Sequence, residues 1–164
     1  MVGTRRAILF LALVVFSVFG PQVARPQAST APRVGVVVLH QIGSTPPVCK
    51  AIPSNGQAAL AVLDKTSFDM YTQSFSGFGR SICWLDGEGH VPPADCFDTG
   101  ASAANWGVWV QGPNKTAPHP TGQGVSTLKL VPGSILYMQF AVFDPNTFQQ
   151  PAPTPVTFAS ICNT

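Results

Sequence analysis

Val34-Gly35-Val36-Val37-Val38-Leu39-His40 decides the fold: a β-branched run of this length, followed by turn chemistry at Gly43 to Pro47, reads as a buried strand and not as a helix. Val48 to Ile52 then returns as a short second strand. Ser54 or Asn55 offers a cap to a helix predicted over Gln57–Ser67. There Ala59, Leu60, Leu63 and Ser67 fall on one side, and Asp64 and Lys65 point away. Further on, Ser74 to Gly79 leads into a strand at Arg80 to Leu85, closed by the turn signal Asp86-Gly87. Trp106 to Gln111 alternates, with Trp106, Val108 and Val110 on one face and Trp109 on the other. Residues three apart on a strand point opposite ways, so the two tryptophans are not expected to line one pocket. Val125–Val131 and Ser134–Phe143 read as a hairpin about Pro132-Gly133, and Val156 to Ile161 as a last strand after a Pro-rich crossing. Two strands, one helix and then several strands make an α+β domain, one helix packing across a mixed sheet.

Upstream of this domain, Arg5 and Arg6 precede an apolar run from Ala7 to Phe19, broken only by Ser17. A basic head, a short apolar stretch and a small-residue exit describe a secretory signal. The run falls short of the about 20 residues that a membrane helix needs, and Pro21 and Pro26 stop it from continuing. Residues 1–28 are therefore assigned to a signal peptide and short linker, with cleavage after Ala24 or Ala28. A twin-arginine route and an uncleaved anchor remain open alternatives. No membrane span is expected in the mature chain.

Without Arg5 and Arg6 the chain carries seven basic and seven acidic residues. No basic stripe is left to displace counterions from a phosphate backbone, so nucleic-acid binding is not expected. Four cysteines, Cys49, Cys83, Cys96 and Cys162, all lie beyond the leader and read as two disulfides in an oxidising compartment. Of the three pairings, the Gly- and Pro-containing loop Asp86 to Asp95 favours Cys83 with Cys96, leaving Cys49 with Cys162. Zinc would call for a Cys-x-x-Cys that the sequence lacks. Asp86-Gly87-Glu88-Gly89-His90 gathers two carboxylates and an imidazole but offers too few oxygens for a hard cation, and reads as a solvated turn. His40 and His119 have no partner nucleophile in a Gly-x-Ser-x-Gly setting, and neither a Walker loop nor a dinucleotide fingerprint occurs. The sequence reads as a binding protein and not an enzyme. Asn114-Lys115-Thr116 matches a glycosylation acceptor, with meaning only in a eukaryotic secretory path.

Several of these pieces recur together. Gly56-Gln-Ala-Ala-Leu-Ala-Val-Leu63 is followed by Gly77-Phe-Gly79, Ile82-Cys-Trp-Leu-Asp-Gly87, Asn105-Trp-Gly-Val-Trp-Val110, Gly124-Val-Ser126 and Leu130-Val-Pro-Gly-Ser-Ile-Leu-Tyr-Met-Gln-Phe140. In this order they resemble the transcobalamin-like carboxyl-terminal domain, a β-grasp-type module also found alone in bacterial exported proteins. The likeness runs from Val34 to about Phe143, within a domain assigned to residues 34–164. Where the family carries an aromatic pair and a Gly-Asp turn, this chain has Asn105-Trp106 and Gly133-Ser134. The resemblance implies a disulfide-stapled β-grasp-like sheet and a small-molecule ligand, with cobalamin or another corrinoid as the ligand class and no resident cofactor. In animal cobalamin carriers a large helical domain completes the clamp, and it has no counterpart in these residues.

The ligand-binding candidates are Gly77, Phe78 and Gly79, where missing side chains let a ligand approach the backbone, and Trp106. No catalytic or metal-ligating residue is expected. The module is expected to be secreted or held in the cell envelope. Its other reading is a structural or interaction domain, meeting another envelope protein through a sheet edge or the loop Gly112 to Gly124.

Overall fold

The computed structural model describes residues 31–163 apart from 99, 101, 102, 145 and 148. The assigned signal peptide lies outside the described residues. Val34 to Val38 are all buried and form the middle of β1 (Arg33–Leu39). On one side β1 pairs antiparallel with β2 (Ser44–Ala51), and on the other it runs parallel to β10 (Ile135–Val142). β10 pairs antiparallel with β7 (Ala104–Gln111), which pairs with the short β8 (His119–Pro120). A strand bonded on both edges and covered on both faces is apolar at every position, which is why β1 reads as an unbroken valine run. The sheet order β2-β1-β10-β7-β8, with first and last long strands parallel at its centre, is that of a β-grasp. Pro46 and Pro47 sit on the outer strand β2 where its register with β1 is interrupted opposite Val37, so their missing N–H groups cost no ladder bond.

The two faces of this sheet carry separate cores. Val34, Val36, Val38, Trp106, Leu136 and Met138 face α1 (Ala59–Leu63) and β5 (Gly79–Leu85), and pack with Val62, Leu63, Ile82 and Leu85. Val37, Trp109, Ile135 and Tyr137 face the other way and meet Ile161 and Cys162 of α2 (Phe158–Cys162). β5 itself is the centre of a second sheet, between β4 (Met70–Phe75) and β6 (Glu88–Gly89). The chain is thus α+β and mostly strand, with a mixed sheet. Two disulfides, Cys49–Cys162 and Cys83–Cys96, pair as the sequence suggests, with Cα–Cα distances of 5.2 and 4.6 Å.

Four expectations are corrected. The helix predicted over Gln57–Ser67 is one short turn, because Gln57 and Ala58 form β3 (Gln57–Ala58) against β9 (Lys129–Leu130). Its end is closed when the Thr66 N–H and hydroxyl both donate to the Leu63 carbonyl, at 2.8 and 2.6 Å. Val62, and not Ser67, is therefore the buried partner of Ala59 and Leu63. The hairpin about Pro132-Gly133 does not form, since β9 leaves to pair with β3 while β10 enters the main sheet. Val156–Ile161 is not a strand. Phe158–Cys162 is helical, and the Thr157 hydroxyl caps it by accepting the Ser160 N–H at 3.2 Å. The mostly polar outer strand β4 carries no apolar alternation strong enough to reveal it.

A candidate ligand cleft at the edge of β7

Alternation along β7 puts Trp106 and Trp109 in opposite cores, at 3 and 6 % exposure. Both nevertheless border one cavity of about 260 Å³ that wraps round the outer edge of this strand, contrary to the expectation from facing direction alone. Side-chain facing decides which core a residue fills. It does not decide which residues meet at a strand edge, where both faces come together. The other walls include Phe78, Phe97, Phe143 and Gln150.

Each wall is held by its own local device. Phe78 closes the turn between β4 and β5, where its N–H donates to the Phe75 carbonyl at 3.3 Å. Its own carbonyl accepts the Gly124 N–H at 3.0 Å and the Thr127 hydroxyl at 3.3 Å. Gly79 has a φ of +95°, and a Cβ there would meet Ser126 Oγ at 2.7 Å. The same Ser126 hydroxyl accepts the Arg80 N–H at 2.8 Å, so the segment 124–127 is docked against this turn. Phe97 follows Cys96, which the disulfide ties to β5, and its ring lies 5.0 Å from Phe75. Gln150 spans two carbonyls that are register partners: its amide donates to Asn105 O at 2.6 Å and Ala141 O at 2.9 Å. Among the described residues its Oε1 has no hydrogen-bond partner, and it sits over Gly107, where a Cβ would collide with it. The turn leading to Gln150 is set by Asp144, whose carboxylate accepts the N–H groups of Thr147 and Asn146. Those bonds, Thr147 first, hold its carboxyl below the usual range.

Phe78 and Trp106 line this cavity, as the sequence candidates would require, whereas Gly77 and Gly79 do not. Gly77, at φ +75°, has open space around its Cα and serves the turn; Gly79 makes room for segment 124–127.

Behind Trp106 lies a polar cluster that sequence reading missed, because its members come from opposite ends of 48 residues. His40, at the end of β1, reaches Glu88 Oε2 through Nδ1 and Thr45 Oγ1 through Nε2, both at 2.9 Å. The Thr45 hydroxyl donates to the Asp86 carboxylate, and the Gln41 N–H donates to Glu88 Oε2 at 3.0 Å. Trp106 donates its indole N–H to the Glu88 carbonyl at 3.2 Å, and His40 meets the indole edge-on at 5.9 Å. The loop read as a solvated turn is therefore tied to the first hairpin, and this fixes the indole. The Thr45 hydroxyl is held between the His40 ring and the Asp86 carboxylate. Among the described residues, no group of three or more His, Cys, Asp and Glu has metal-binding geometry.

No family model matches the chain. Nor does any curated protein compared with it.

Proposed function

We propose that the protein is an extracytoplasmic small-ligand-binding module, secreted or held in the cell envelope, and that its ligand enters the cleft beside β7. The observation that carries this reading is the cleft itself: five aromatic side chains brought together from four separate segments around a buried strand edge. Aromatic rings supply large contact area at little entropic cost. Two disulfides support an oxidising compartment. No helix among the described residues is long and apolar enough to cross a membrane.

The resemblance to the transcobalamin-like carboxyl-terminal domain names a corrinoid as the first ligand to try. At about 260 Å³ the cleft lies just under the range of roughly 300–1,000 Å³ that holds a whole drug-sized molecule. It therefore takes one edge of such a ligand and leaves the rest outside. The protein binds and does not catalyse. Titration with cobinamide and cobalamin, followed by absorbance and melting temperature, tests this. A ligand that binds only the folded state raises its stability with the logarithm of its excess over Kd. A melting point unmoved at saturating corrinoid removes the corrinoid.

The second reading, an interaction domain, draws on β4. It is an outer strand without proline, and Tyr71 on it is 38 % exposed. If a partner adds a strand there, Tyr71→Asp abolishes its binding and leaves the cleft untouched.

A further inference from the structure

The outer edge of β7 is only partly covered. Among the described residues, β8 pairs with Trp109 and Val110 alone, and no other strand joins β7 on the side away from β10. The Thr121 N–H donates to the Val108 carbonyl at 3.0 Å. Four residues back, His90 Nε2 donates to the Ala104 carbonyl at 3.0 Å. Alternate residues of a strand direct their N–H and C=O to the same side. Trp106, midway between these two, therefore presents its N–H and C=O outward, and the Val108 N–H points the same way. Among the described residues, β8 meets Trp109 and Val110, Thr121 meets the Val108 carbonyl and His90 meets the Ala104 carbonyl, and none of these reaches the three groups. Trp106 is nonetheless 3 % exposed, and Trp106, Gly107 and Val108 are part of the cleft wall. Buried backbone groups are nearly always paired, so the Trp106 N–H and C=O, with the N–H of half-buried Val108 beside them in an aromatic cleft, call for a complementary group.

We infer that the cleft recognises a carboxamide, carried on a flat apolar ring and laid edge-on against Trp106–Val108. An amide offers a carbonyl to the Val108 or Trp106 N–H and an N–H to the Trp106 carbonyl, as a neighbouring strand would. The aromatic walls contact the ring faces. A carboxylate of the same size cannot donate, and it would enter a largely apolar cavity as a bare charge. A ketone accepts but leaves the Trp106 carbonyl unmet. This inference rests on the small-ligand reading above, but not on the ligand being a corrinoid.

Three probes of one shape separate the alternatives: benzamide, acetophenone and benzoate, added to the oxidised full chain and followed by amide chemical shifts and melting temperature. Benzamide is expected to move the Trp106 and Val108 amide signals and to bind about tenfold tighter than acetophenone, the effect of one buried hydrogen-bonding group left unmet. Benzoate is expected to bind more weakly still. Equal binding of all three overturns the carboxamide inference and leaves the cleft as a site for apolar rings. If no probe moves those signals while cobinamide raises the melting point, the inference fails and the ligand reading stands. If neither the probes nor the corrinoids bind, both fall and the open edge is met by water alone.

Discussion

The two faces of the five-stranded sheet are covered by different means. On one, Val36, Trp106, Leu136 and Met138 meet a helix, a second sheet and the turn-bearing segment 124–130, so apolar side chains arrive from many elements. On the other, Val37, Trp109, Ile135 and Tyr137 meet little more than α2 and the Pro-rich segment before it. That second cover is short of apolar area and supplements it with other chemistry. Cys162 is bonded to Cys49, the Arg33 guanidinium donates to the Cys162 carbonyl at 2.9 Å, and the Tyr137 hydroxyl both donates to Gln111 Oε1 at 2.7 Å and accepts the Val156 N–H at 3.0 Å. A face too small to hold its cover by burial alone is closed by a covalent tie and a few buried hydrogen bonds.

The contrast is broken most strongly by replacing Cys49 and Cys162 with Ser. The loop they close spans 113 residues, and the chain-entropy estimate is about 4.7 kcal/mol for a loop of roughly this size. Hydrogen exchange of the variant should show protection lost first over 156–162, with β5 and α1 retaining theirs. The equivalent change at Cys83 and Cys96, 13 residues apart, is expected to cost about 3 kcal/mol in denaturant unfolding. Next, Leu136→Ala in the larger core is expected to cost about 2–5 kcal/mol, with protection falling throughout the domain and not in one segment. Tyr137→Phe sharpens the comparison from the other side. It leaves Gln111 Oε1 and the Val156 N–H without their partner, for a loss of about 1–3 kcal/mol by chemical denaturation, while the larger core is untouched.

The smallest effect is one of pH. Burial pushes the Tyr137 phenol above its usual value of 10.0, against the opposing pull of the Val156 N–H. The neutral phenol is therefore favoured in the folded state. Its contribution is complete below the unfolded value and is lost as pH rises from there through the folded value. Stability measured above pH 10 should decline less steeply in Tyr137→Phe than in the parent chain.

What the sequence disclosed follows from how far apart the interacting residues lie. β1 was plain because five buried neighbours in a row leave no other pattern, and β7 because Trp106, Val108 and Val110 alternate with Trp109. The turn at Asp86-Gly87 was plain too: both residues take positive φ, and the residue types say so. Phe158–Cys162 does not show as a helix in the sequence because five residues are too few for helical periodicity to compete with the β-branched look of Val156, Thr157 and Ile161. Ala59–Leu63 was overextended for the opposite reason: strand pairing to Leu130 claims Gln57, although its local signals are helical. Of the cleft, Phe78 and Trp106 are marked by local features, a Gly-flanked turn and a strand aromatic. Phe97, Phe143 and Gln150 carry no local mark, since they become wall residues only when β7 meets their segments. The His40 cluster was invisible on the same ground.

The bond between Cys49 and Cys162 also decides how the domain bears force. A pull exerted before Arg33 and after Cys162 passes through sulfur into β2, so the chain between the two cysteines is bypassed covalently and is loaded only through the hydrogen bonds of β1 to β10. Only the hairpin of β1 and β2 ahead of Cys49 lies on the stretched path, and at full extension it can yield roughly 50 Å. The cleft wall formed by β7 lies inside the covalently slack part of the ring, one strand removed from the stretched β1, so no backbone bond of it is pulled when the protein is tugged from either side.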